Sequence, residues 1–147
     1  MKDLKKQIQR SFRMEMIGTG LYSALAKQYG RQNQKLGERL QTFSDDERMH
    51  GRLFQKCSQN LFGNAPGGEH LWRFVGKMAA WSMRPLPLQA KLKKLSIAEK
   101  QAVERIEQAL AAGGDTSFHK TIRVILRDEK THAAFYDEWR SSSPMQT

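Results

Sequence analysis

Two segments of this chain carry the same polar signature: Asp46-Glu47-Arg48-Met49-His50 and Asp128-Glu129-Lys130-Thr131-His132. Each has a glutamate upstream. Glu15 lies 32 residues before Glu47 and Glu99 lies 30 before Glu129, which puts the midpoints at residues 31 and 114. Turn-forming glycines stand there, Gly30 in one half and Gly113-Gly114 in the other. In an antiparallel helical hairpin, residues equidistant from the turn stand level, so each upstream glutamate faces its own Glu-x-x-His pair. Three-residue spacing then places the glutamate and histidine of each pair on one helix face.

The surrounding pattern is helical throughout. Apolar residues recur at helical spacing as Leu4, Ile8, Phe12, Glu15, Thr19, Tyr22, Ala26 and Tyr29, and again as Leu36, Leu40, Phe43, Glu47, His50, Phe54, Cys57 and Leu61. These stripes predict helix 1 over about 3–29 and helix 2 over about 34–61. Gly63, Asn64, Pro66, Gly67 and Gly68 break the second. A crossover of about 62–95 follows, with a shorter helix near Glu69 to Met83 that Pro85 and Pro87 end. Ser96 with Glu99 three residues on reads as a capping box opening helix 3, about 97–112, along Glu99, Val103, Ile106 and Leu110. Helix 4, about 117–140, carries Ile122, Ile125, Glu129, His132, Tyr136 and Trp139 before Ser141, Ser142, Ser143 and Pro144 mark a tail. No strand-like alternation occurs. The expectation is one all-α domain over 1–147, a four-helix bundle with a long helical crossover between helices 2 and 3.

Glu15, Glu47, His50, Glu99, Glu129 and His132 all fall on apolar stripes. A charged side chain there costs several kcal/mol unless paired, and four carboxylates together repel one another. Two divalent cations resolve the conflict, with neutral imidazoles completing the shell. One glutamate from each of two helices and Glu-x-x-His from each of two more is the ligand pattern of dimetal carboxylate bundles. The capping box is a second explanation for Glu99, and Glu104, its rival, lies off the stripe. Asp46 and Asp128 suit carboxylates that orient a metal-bound imidazole, and equally suit surface aspartates. Tyr22 and Tyr136 lie one or two turns away, within reach of a ligand carboxylate, although core packing accounts for both.

Composition narrows the class. The formal charge is +10, but the basic residues are spread along the chain without a nucleic-acid-binding motif, so a solvated basic surface is expected and no nucleic acid partner. Polar residues interrupt any apolar leader at the N-terminus, so a cytoplasmic location is expected. The single cysteine, Cys57, builds no disulfide and no thiolate metal site, and reads as a core residue. The crossover combines Trp72, Phe74, Met78 and Trp81 with Arg73, Lys77, Arg84, Lys91, Lys93 and Lys94. Amphipathic crossovers usually cover a core, so its aromatics are expected to be buried and membrane-surface binding is not.

These residues make the chain resemble the ferritin-like superfamily, and within it the rubrerythrin-like diiron domains. The likeness covers Glu15 through Tyr22, Asp46 through Phe54, Glu99 through Ile106 and Asp128 through His132. It implies an oxidoreductase in which the six glutamates and histidines hold two iron ions, with manganese or a mixed pair as substitutes. Dioxygen or peroxide would be the small oxidant and an external electron donor the reductant; a homodimer is compatible with this. A four-cysteine rubredoxin-type iron site is absent, and Ala102 stands where such relatives pair a second glutamate with Glu99. Glu47-x-x-His50 with Phe54, and Glu15 with Tyr22, also resemble demethoxyubiquinone hydroxylase, a membrane-surface monooxygenase. Ferroxidase or iron handling is a further alternative, one that favours a cage-forming oligomer.

Overall fold

The computed structural model describes residues 2–114 and 116–142, the side chains of Arg140 and Ser142 excepted. Five helices account for almost all of them: α1 Lys2–Gly30, α2 Gln34–Phe62, α3 Glu69–Ser82, α4 Leu88–Ala111 and α5 Ser117–Ser142. No strand occurs among the described residues. Contacts divide the chain into two compact units, Met1–Arg84 with α1 to α3 and Pro85–Thr147 with α4 and α5. Each is described by itself.

In the first unit α1 packs against both α2 and α3. The α1–α2 pair is an antiparallel hairpin. The turn is closed by Asn33, whose side chain accepts a hydrogen bond from the Leu36 amide at 3.1 Å. Further along, the Ser44 hydroxyl donates to the Thr19 carbonyl at 2.8 Å, and Lys5 sits 5.9 Å above the Phe62 ring. The buried residues Ile8, Phe12, Met16, Tyr22, Leu36, Leu40, Phe43 and Phe54 lie on the two facing stripes. Each such side chain withdrawn from water contributes about 1.5–3 kcal/mol.

Small residues make the contact between α1 and α3. A Cβ on Gly20 would overlap the Arg73 carbonyl, and one on Gly76 would overlap the Ile17 carbonyl and the Leu21 amide. The backbones therefore touch. Ala80 completes the buried side of α3. Glu69, in the first turn of α3, is held by Arg48 of α2 and by Arg73, each at 3.6 Å.

That arrangement overturns the expected burial of the crossover aromatics. α3 turns its glycine and alanine inward and leaves Leu71, Phe74, Val75, Met78 and Trp81 exposed, Phe74 at 58% and Trp81 at 59%. Only Trp72 of the aromatics is half-buried, under the Arg13 guanidinium at 5.1 Å from the ring centroid.

In the second unit α4 packs on α5. Helix α4 starts at Leu88 rather than near residue 97, directly after Pro87, whose φ of −64° suits a chain entering a helix. The reason is visible in the stripe, which runs back from Glu99 through Leu95 and Leu92 to Leu88. Ser96 is consequently buried in mid-helix and caps nothing. Helix α5 continues through Ser141 and Ser142, and the expected tail from residue 143 lies outside the described residues. Lys130 pairs with Glu107 at 2.7 Å and Lys100 with Asp137 at 2.9 Å, which fixes this hairpin as antiparallel too.

The glycine seam predicts a specific cost. Gly76→Ala should gain helix propensity of up to about 1 kcal/mol yet destabilise by a net ~1–3 kcal/mol through overpacking against α1. Gly67→Ala, where an added Cβ meets nothing within 4 Å, should stay within about 0.5 kcal/mol of the parent. Urea denaturation of the two variants distinguishes them.

Candidate metal-binding residues

In the first unit, α1 supplies Glu15 and α2 supplies Glu47 and His50. One ligand atom from each lies within 4.8 Å of the others. Glu47 is buried, His50 is fully buried at 0% exposure, and the Glu15 side chain is nearly so. The His50 Nδ1 stands 3.4 Å from Glu15 Oε2. The second unit repeats the set: Glu99 from α4, with Glu129 and His132 from α5, again offer atoms mutually within 4.8 Å. Glu99 and Glu129 are buried and His132 is 0% exposed. Glu104, the rival to Glu99, is exposed.

Such a set fits a metal ion. Nitrogen and oxygen donors that share one ion at about 2.1 Å stand no more than ~4.2 Å apart, so a small contraction closes either triad around a cation. Oxygen with imidazole suits iron, manganese or zinc, whereas calcium and magnesium prefer oxygen alone. Two carboxylates per triad balance one divalent charge, and burial keeps water from competing for the ion.

The second row of expected residues is placed as follows. Asp46 and Asp128 are half-buried, each one residue before its glutamate. Tyr22 is buried with its ring edge-on to Phe43, centroids 5.9 Å apart at 71°. Tyr136 is fully buried and meets Phe135 at 5.6 Å and 62°. Both tyrosines therefore belong to the cores of their units.

Sequence reasoning missed Gly18. A Cβ there would strike Glu47 Oε2, so this glycine makes room for the carboxylate of the facing helix. Gly51 does the same for Met16, whose methyl group occupies the space beside Glu15. The available signal was a glycine in mid-helix, three residues after a candidate ligand, where it costs helix stability and needs a packing reason.

The Rubrerythrin family model matches residues 6–139, which takes in both units and all six candidate ligands. The chain belongs to the rubrerythrin family. Its all-α class is the one the sequence stripes predict, and its ferritin-like architecture is the one the resemblance implies. No curated protein and no solved structure matches it significantly. For a rubrerythrin-family chain with two buried Glu-Glu-His sets, metal binding is the coarse functional statement that the family and the donors jointly support.

Two substitutions test the site's geometry. Gly18→Ala should lower metal content by displacing the Glu47 carboxylate while the circular dichroism spectrum stays helical. Glu99→Gln should lower it as well, and Glu104→Gln, on the exposed side of α4, should leave it unchanged. Metal analysis of the three purified variants is the check.

Proposed function

We propose that this chain is a non-haem dimetal carboxylate oxidoreductase in which Glu15, Glu47, His50, Glu99, Glu129 and His132 together hold two iron ions. The family match, spanning both triads, is the single observation that carries this reading. Bound iron would supply redox chemistry toward dioxygen or peroxide.

The chain's own residues have three tasks. Glutamates and imidazoles bind and fix the ligand geometry from rigid helices, which hold side chains more accurately than loops do. Asp46 and Asp128 accept the free ring N–H of the metal-bound imidazoles, setting their tautomer and basicity. Phe12, Phe43 and Phe54 in one unit, with Phe135 and Tyr136 in the other, keep bulk water away from the ligands. Reducing equivalents come from an external donor, because the single cysteine cannot build a second iron site.

Protein purified from iron-replete cells should carry about two metal ions per chain, the count of dimetal carboxylate bundles. Chelation should lower the melting temperature, since an ion bound only by the folded state stabilises it. Glu47→Ala and Glu129→Ala should each abolish the loaded centre and with it peroxide consumption, and Asp46→Asn should weaken metal affinity roughly 10- to 100-fold. Substoichiometric metal that chelators do not remove, with peroxide consumption unaffected by Glu47→Ala, would defeat the reading.

A further inference from the structure

We propose that the outer face of α3 is a docking surface for an anionic lipid bilayer, on which the helix lies parallel to the membrane plane. At 100° per residue, Leu71, Phe74, Val75, Met78 and Trp81 fall within an arc of about 120°. All five are exposed. A contiguous apolar ridge of this kind on a water-soluble surface marks an interaction site. His70, Lys77 and Arg84, also exposed, line one edge of the same arc, with Arg84 just beyond the helix end.

The charge of the surrounding unit identifies the occupant. Residues 1–84 hold fifteen Lys and Arg against seven Asp and Glu, a formal +8 of the chain's +10. Glu69, the one acidic residue of α3, is engaged by Arg48 and Arg73. What faces outward from the helix is therefore apolar and basic. That combination matches the acyl boundary and phosphate layer of an anionic leaflet, where apolar side chains sink ~5–10 Å and Lys or Arg meet headgroups. Trp81, at the edge of the arc beside the basic residues, suits the headgroup level, which favours amphipathic rings.

A second copy of the chain fits less well. Two copies meeting on α3 would bring two basic edges together. A 14-residue helix is about 21 Å long and ~10 Å wide, a projected footprint of roughly 200 Å², against the ~800 Å² per partner of a standard stable interface. The inner side of α3 is already committed, because Gly76 and Ala80 are buried and the α1 backbone lies against Gly76. The ridge is therefore held rigidly outward.

The test uses the full chain with vesicles of phosphatidylcholine alone or mixed with phosphatidylglycerol. Co-sedimentation should be roughly ten-fold greater on the anionic vesicles, and it should fall as salt rises from about 0.1 M to about 1 M, where the screening length drops from ~10 to ~3 Å. Phe74→Glu with Trp81→Glu should remove binding, and Lys77→Glu with Arg84→Glu should reduce it about ten-fold. Arg52→Glu with Lys56→Glu, an equal charge change at exposed positions on α2, should alter it less than two-fold. A second readout needs no ridge variant: in a Trp72→Phe, Trp139→Phe chain, brominated lipid should quench the remaining Trp81 emission. Absence of sedimentation with anionic vesicles, binding that both α3 double variants retain, or Trp81 emission that bound vesicles leave unquenched would each overturn the proposal. So would a concentration-dependent dimer in lipid-free solution that Phe74→Glu with Trp81→Glu dissolves, because the ridge would then serve a second copy.

Discussion

When two antiparallel helices share a short turn, the turn decides which residues stand level, and a slip of one residue rotates every side chain by about 100°. α1 and α2 set that register with the Asn33 cap, and the Ser44 hydroxyl bonded to the Thr19 carbonyl repeats it half-way up. Everything functional in the first unit inherits this alignment. Glu15 reaches His50 only because Thr19, one turn later, is level with Ser44. In the second hairpin the Lys130–Glu107 and Lys100–Asp137 pairs, seven residues apart on each helix, agree on one antiparallel alignment. Such exposed pairs contribute little stability, on the order of 0–1 kcal/mol each, but they disfavour other registers.

Placing carboxylates inside a hairpin works against stability, since a buried charge loses its hydration and regains it only through close partners. Three of the six candidate ligands, Glu47, Glu99 and Glu129, are glutamates with less than a tenth of their surface exposed. Apolar residues of the same size would pack these positions more favourably. Retaining charge there is a specialisation, and each unit surrounds it with buried apolar residues, Phe12, Phe43 and Phe54 in the first and Ile122, Ile125 and Tyr136 in the second. A divalent ion turns that cost into a gain by adding its binding energy to folding.

Both triads were legible in the sequence because a charged residue on an apolar stripe is an anomaly that spacing alone exposes. The stripe favoured Glu99 over Glu104, but the apparent capping box offered Glu99 a second explanation and left the choice open until Glu99 proved buried and Glu104 exposed. The start of α4 was not legible. Ser96 and Glu99 imitate a capping box, and the stripe through Leu88, Leu92 and Leu95 that outweighs it lies among residues that also read as crossover. The exposure of α3 was hidden differently. Periodicity shows that Phe74, Met78 and Trp81 share a face, but which face a helix buries depends on its neighbour, and the close fit of Gly76 to α1 is a property of two backbones. Gly18 belongs to the same class, since its purpose lies in the carboxylate of another helix.

Gly18 and Gly20 stand two residues apart on α1 and so project about 200° apart, on nearly opposite sides of the helix. Against one side rests the Glu47 carboxylate and against the other the backbone of α3 at Arg73. At these two positions α1 places no side chain of its own between its backbone and the Glu47 carboxylate or the α3 backbone. The Glu47 carboxylate and the α3 backbone thus bear on the same turn of α1. Linkage makes the relation mutual: whatever free energy a load on α3 adds to or removes from the position of Glu47, occupation of the triad returns in equal measure to α3.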